Sequence, residues 1–223
     1  MLSYRLNEIV KLCGKAKRVA DVGCDHGKVL AELAKNKAEF LVATDISEPS
    51  VKKAEQLLTQ LNFKNFSVRV GDGCQTLTNN DNLDVIVIAG MGGMEIIEIL
   101  TAAQIELKTL VLQPQNNVIK LREFLTENNF YIHTDKVVED KGKFYNILKV
   151  VKTNERQGLS TRQLIYGKTN LREHNPHFVQ MLEQENEKLA NRLENIKNDE
   201  MRKAIMQNIV SNTQEIDKAI NRR

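Results

Sequence analysis

Carboxylates stand at the ends of three successive apolar runs. Asp21 and Asp25 belong to Val-Ala-Asp-Val-Gly-Cys-Asp-His-Gly at 19–27, Asp45 follows Phe40–Thr44, and Asp72 follows Phe66–Val70. An apolar strand, a glycine-bearing turn and a following helix make the nucleotide-binding crossover of a doubly wound sheet, whose strand ends share one crevice. The acids decide which nucleotide. A dinucleotide needs its pyrophosphate close to glycine backbone and to a helix N-terminus free of anions, and Asp25 would repel it. S-adenosylmethionine has no phosphate and carries a sulfonium and an ammonium, so acids suit it. The pattern predicts methyl transfer rather than hydride transfer.

Each loop then has an expected part. Asp21 or Asp25 holds the ammonium, Gly23 lets the backbone pass close beneath it, and Cys24 packs as a small residue in the same turn. Asp25 can equally cap the helix that follows. Asp45, with Ile46 beside it, is placed to take both ribose hydroxyls, although an Asp before Ser-Glu-Pro also suits a plain turn. Asp72 can accept from the adenine amino group while Gly73 leaves room for the ring; Asp-Gly is also a common turn. The fourth run ends in Ala89-Gly90-Met91-Gly92-Gly93, and a loop there faces the ligand. Ala89, Gly90 and Met91 are therefore expected to wall the cofactor site. Enzymes that methylate an exocyclic adenine amine carry an Asn/Asp-Pro-Pro-aromatic run at this place, and this chain does not. Nor is a cysteine placed for attack on a pyrimidine carbon. A ring nitrogen with a free lone pair needs neither.

To hold these loops in one crevice, strands and helices must alternate. Strands are predicted at Arg18–Val22, Phe40–Thr44, Phe66–Val70, Asp84–Ala89, Thr109–Gln113, Phe130–Val138 and Phe144–Val151, with helical periodicity over Lys28–Ala34, Val51–Leu61, Met94–Ala102 and Val118–Glu127. Little alternation within the strands implies a parallel sheet covered on both faces. The turn Asp140-Lys141-Gly142-Lys143 joins the last two strands without a crossover helix, so the sheet should end in an antiparallel pair. Beyond residue 151 strand signals stop. Gly158 and Gly167 punctuate a polar bridge, and Asn175-Pro176 reads as a helix start. Phe178, Leu182, Leu189, Leu193 and Ile196 form one apolar stripe; Met201, Ile205, Ile209, Ile216 and Ile220 form another. Two such helices predict an antiparallel hairpin of coiled-coil type, and hence a domain over 1–152 and a second over 153–223.

Composition narrows the setting. With 223 residues, 41% of them hydrophobic, the chain can bury a core. No apolar run approaches the roughly 18 residues that span a bilayer, and the N-terminus has no signal-peptide core. Three scattered cysteines without metal-ligand spacing suit a reducing compartment. A cytoplasmic enzyme with no metal and no membrane contact is expected. The formal charge of +3 is contributed wholly beyond residue 151, with smaller clusters at Lys15, Lys17 and Arg18, at Lys52 and Lys53, and at Lys141 and Lys143. The helical arm, with Lys188, Arg192, Arg202, Lys203, Arg222 and Arg223, is expected to be net positive and to dock on nucleic-acid backbone.

Four runs carry a family resemblance: Asp-Val-Gly-Cys-Asp-His-Gly at 21–27, Ile-Ala-Gly-Met-Gly-Gly at 88–93, Leu-Gln-Pro-Gln at 112–115 and Glu-Asp-Lys-Gly-Lys-Phe-Tyr at 139–145. Together they resemble the bacterial tRNA adenine-22 N1-methyltransferases. The resemblance implies an α/β, Rossmann-like class I methyltransferase fold with a C-terminal helical hairpin, S-adenosylmethionine as cofactor, and tRNA as the partner of a monomer. It also implies that the target base is turned out of its stack, because N1 lies on the Watson–Crick edge. Met91, Gln113, Pro114 and Tyr145 are candidates to clamp that base, though Gln113-Pro114 can be a plain turn and Tyr145 a sheet-face residue. Asp25 would stabilise the cationic product. His26 could accept a proton from it, or simply pack. Two rivals remain at this point: an RNA-binding protein with a vestigial pocket, and a small-molecule methyltransferase with the hairpin as lid.

Overall fold

The computed structural model describes residues 2–36 and 38–221; Arg222 and Arg223 lie outside the described residues. Strands β1 (Arg18–Val22), β2 (Phe40–Asp45), β3 (Phe66–Val70), β4 (Val85–Met91), β5 (Thr109–Pro114), β6 (Phe130–Asp140) and β7 (Lys143–Lys152) form one sheet in the order β3-β2-β1-β4-β5-β7-β6. The first five are parallel, and β7 runs antiparallel to both β5 and β6. The order reverses between β1 and β4, so the loops leaving those strands diverge and open a crevice.

Helices cover both faces, as two-sided burial of the strands requires. On one side α1 (Tyr4–Cys13), α2 (Lys28–Lys35) and α3 (Glu48–Gln60) pack Ile9, Leu30 and Leu58 against Leu41 and Val87. On the other, α4 (Gly93–Ala102) and α5 (Val118–Glu127) pack Ile96, Leu121 and Leu125 against Ile88 and Leu112. Helix α1 is absent from the sequence expectation. Its signals are short but real: the Ser3 side chain accepts from the Leu6 amide, and Leu6, Ile9, Val10 and Cys13 make one apolar face.

The segment after β7, expected as a polar bridge, holds two short helices, α6 (Thr161–Tyr166) and α7 (Lys168–Glu173). They close the outer margin of the sheet. Gln157 accepts from the Ile132 amide at 2.7 Å, Thr169 from Asp135 at 3.0 Å and Asn170 from Val137 at 3.0 Å. These edge amides of β6 would otherwise lack partners. Behind them Arg122 of α5 and Asp135 form a fully buried pair at 2.6 Å, and Arg122 also donates to the carbonyls of Leu164 and Ile165, each at 2.9 Å.

The arm consists of α8 (Pro176–Leu193) and α9 (Asp199–Ile220). The Asn175 side chain caps α8 by accepting from Phe178 at 2.9 Å. Phe178 and Leu182 join Val137 and Tyr166 in a small core, so the arm is rooted in the sheet. Further out, the inward positions of α9 are Ile205, Ile209, Asn212, Ile216 and Ala219. Met201 and Ile220 of the expected stripe are instead exposed. Counting apolar residues misplaces that stripe because two buried positions of α9, Asn212 and Glu215, are polar. Asn212 donates to Asn186 at 2.9 Å and accepts from the Tyr166 hydroxyl at 2.9 Å, which satisfies the buried amide. The arm's expected positive charge is a second correction: residues 176–223 carry eight Lys/Arg and eight Asp/Glu. The basic excess lies instead on 152–175, the segment along the margin of β6.

Candidate active site

The loops at the C-terminal ends of β1, β2, β3 and β4 enclose a cleft of about 520 Å³. All the expected cofactor residues line it: Asp21, Gly23, Cys24 and Asp25 from the first loop, Asp45 and Ile46 from the second, Asp72 and Gly73 from the third, and Ala89, Gly90 and Met91 from the fourth. Arg5, Lys28, Glu95 and Gln115, which the sequence did not single out, complete much of the wall.

The first loop is shaped by its backbone. Gly23 and Cys24 both donate to the Thr44 carbonyl, at 2.8 and 3.1 Å, which ties the end of β1 to the end of β2. Gly23 has φ +71°, and a Cβ there would sit 2.1 Å from the Met91 methyl. Glycine is required on both counts. Met91 thus closes over the loop that underlies the cofactor position. Gly93 is held just as tightly, since a Cβ would meet the Asn116 carbonyl oxygen at 2.6 Å.

The carboxylates differ in how they are held. Asp45 accepts from the amides of Asp25, at 3.1 Å, and Ser47, at 2.9 Å, so each of its oxygens is oriented and keeps a lone pair for the cleft. Asp25 does not cap α2, whose N-cap is Gly27 with no side-chain bond. Its side chain stays exposed and lies 2.7 Å from His26 Nδ1. His26 Nε2 lies 3.3 Å from Lys53 Nζ. Both ring nitrogens thus have a partner within the protein. Asp21 is the unusual group. It is 4% exposed, and no hydrogen bond from the described residues reaches its carboxylate. Burial, then the charges of Asp45 and Asp25, push its pKa up to about 7.

Of the base-clamping candidates, Met91 lines the cleft, whereas Gln113 and Pro114 do not. Both are buried in the end of β5. Gln113 accepts from Arg5 and donates to the Pro114 carbonyl at 3.0 Å, so both ends of its amide are engaged within the protein. Contact with a base is corrected to a positioning part, namely anchoring Arg5. Tyr145 lines an adjoining groove, where the Arg5 guanidinium lies 5.1 Å from its ring centroid. Gln115 faces both spaces, and its Nε2 donates to the Gly90 carbonyl at 2.5 Å.

These features fit S-adenosylmethionine. A buried carboxylate without a protein donor suits the ammonium. Asp45 has two oriented oxygens for ribose hydroxyls. Ile46, 73% exposed at the rim, offers an apolar face to an adenine ring. A dinucleotide would bring phosphates against five acids in the same wall, Asp21, Asp25, Asp45, Asp72 and Glu95.

Comparison with known proteins agrees. The family model described as tRNA (adenine(22)-N(1))-methyltransferase matches residues 19–222. The chain belongs to this methyltransferase family. Among curated relatives, a candidate tRNA methyltransferase of Mycoplasma pneumoniae is 40% identical over 169 residues, 74% of each chain. The tRNA (adenine(22)-N(1))-methyltransferase of Bacillus subtilis is 30% identical over 152 residues, 66% of this chain and 63% of that one. A crystal structure of a candidate tRNA (m1A22) methyltransferase from Streptococcus pneumoniae superposes with a TM-score of 0.90 at 30% identity, over 97% of this chain and 100% of that one. Another structure of that protein, in complex with S-adenosyl-L-methionine, gives a TM-score of 0.86 at 28% identity, over 97% and 100% of the two chains. The family's fold accounts for the sheet order and the rooted arm alike.

Among the described residues no cluster of three potential metal ligands occurs, and no helix is long and apolar enough to cross a membrane.

Proposed function

We propose that this chain methylates N1 of adenine 22 in tRNA, that residues 1–152 carry the cofactor site, and that residues 153–223, whose arm we read as a coiled coil, help hold the RNA. The family match over residues 19–222 carries the target base, and Asp21, a buried acid without a protein donor at the base of an acidic cleft, supports the cofactor. Bound S-adenosylmethionine supplies a methyl group activated by the sulfonium charge. Asp21 holds the ammonium, Asp45 the ribose, and Asp72 the adenine amino group. The chain's contribution is then orientation rather than proton transfer, because adenine N1 has its own lone pair and needs no base. Positive charge ends on the target ring, and the exposed Asp25 carboxylate at the rim stabilises it as it develops.

Gln115, which lines both spaces, is placed to orient the target ring. Its Nε2 donates to the Gly90 carbonyl and so competes for one of the two lone pairs that an exocyclic amine would use at this loop. Its Oε1 is left to accept from the amine of the target base, which turns N1 inward. A tRNA substrate and three buried free thiols also lead us to assign the cytoplasm.

Nucleoside mass spectrometry tests the reading. A tRNA transcript incubated with the protein and methyl-labelled S-adenosylmethionine should yield labelled 1-methyladenosine, and a transcript with guanine at position 22 should not. Label in another nucleoside, or none, would overturn it.

A further inference from the structure

A second space opens beside the cofactor cleft. It measures about 570 Å³, within the range that holds a nucleotide-sized ligand. Its walls come from α1, the turn joining β6 to β7, and α8, and it shares only Arg5 and Gln115 with the cleft. The charges of the two spaces are opposed. The cleft gathers five acids, whereas the groove brings Arg5, Lys143 and Lys188 together against the single acid Glu185. Lys143 and Lys188 are exposed and make no ion pair among the described residues. Three cations gathered against one acid favour a polyanion. Tyr145 adds an aromatic surface at the junction with the cleft.

Helical spacing sorts the charge on α8. Met181, Gln184, Glu185 and Lys188 recur at steps of three and four and face the groove. The next stripe, which includes Glu183 and Glu187, lines an adjoining space with Glu139 of β6, and that space shares Gly142, Phe144 and Gln184 with the groove. Those acids repel phosphate along that border, which favours the side of the groove that carries Arg5, Lys143 and Lys188.

We propose that this groove holds the sugar–phosphate backbone flanking the target adenosine, with Lys143 and Lys188 on phosphates and Arg5 at the step where the base leaves the strand for the cleft. The assignment rests on the tRNA reading above and adds to it where the RNA enters.

Salt dependence of tRNA binding tests it on the full chain. The probe is a transcript with adenine at position 22, and the variant is Lys143→Gln with Lys188→Gln. Removing one lysine–phosphate pair should lower the slope of log affinity against log salt by about 1, so the double variant should lose about 2. Cofactor affinity should stay at the wild-type value, which shows the fold intact. A control, Lys64→Gln with Lys108→Gln, removes equal charge from exposed positions that precede β3 and β5, at the end of the sheet away from the cleft and the groove, and should keep the wild-type slope. An unchanged slope in the groove variant, or an equal loss in the control, overturns the proposal. Methylation by the wild-type protein is scored separately. If N1-methyladenosine forms while the groove variant binds normally, the groove fails and the function stands. If no methyladenosine forms but the slope falls only in the groove variant, the function fails and the groove stands.

Discussion

The cleft and the groove share two residues but are made by different means. The cleft wall is main chain bent at strand ends, where Gly23 and Cys24 reach the Thr44 carbonyl and Asp45 grips two amides. The groove wall is side chains from three segments far apart in sequence, joined where Arg5 meets Gln113 and Tyr145. Backbone bonds fix the shape for one small cation, while scattered lysines can follow a flexible anionic chain. The difference teaches that the two ligands are handled separately, with Arg5 and Gln115 as the shared partition.

That separation can be broken most forcefully from behind. Arg122→Ala leaves Asp135 as a buried, unpaired charge and frees the Leu164 and Ile165 carbonyls. A loss of about 3–5 kcal/mol is expected, read as a lower midpoint in thermal or urea unfolding. Because Arg122 also donates to Asn146 of β7, at 3.1 Å, the groove wall should suffer before the cleft does. A variant as stable as the wild type would remove the hub from the account.

Within the folded protein, Asp45→Ala should weaken cofactor binding by about 100-fold, since charged hydrogen bonds contribute about 1.5–3 kcal/mol each. tRNA affinity should barely change; calorimetry with each ligand in turn checks both. Parallel loss of the two affinities would merge the two spaces into one.

Asp21 makes the cleft sensitive to pH where the groove is not. Its folded pKa is raised from 3.8 to about 7, so the protonated form is favoured in the fold. The sign follows from linkage: this group's contribution to stability is full below about 4, falls as pH rises toward 7, and is flat above. Cofactor binding runs the other way, because the cation needs the carboxylate. Affinity should fall about tenfold per unit as pH drops below 7, and Asp21→Asn should bind weakly at every pH. A wild-type affinity independent of pH between 5 and 7 would contradict the assigned role.

Arg5→Ala is expected to have the smallest effect, about two- to fivefold on each ligand, from removal of the cation–π interaction and a looser partition. An effect confined to one ligand would place Arg5 wholly on that side.

The same contrast explains what the sequence disclosed. Strands β1 to β7 were legible to within one or two residues, because short apolar runs between turn residues are a strong local signal. The cleft was legible because each acid ends such a run. The groove was not: Arg5, Lys143 and Lys188 carry no shared spacing. Helices α6 and α7, at six residues each, are too short for periodicity to show. Asn212 was missed because its partners, Asn186 and Tyr166, lie in other helices. Gln113 misled for a related reason, since its position at a strand end looked like access while its amide served Arg5.

The three side chains that close the margin of β6 have one more effect. Gln157, Thr169 and Asn170 grip main-chain donors, whose positions no rotamer change can alter. The root from which the arm departs is thereby registered to the main chain of β6, and a change of side-chain rotamer within the sheet leaves its anchoring points in place.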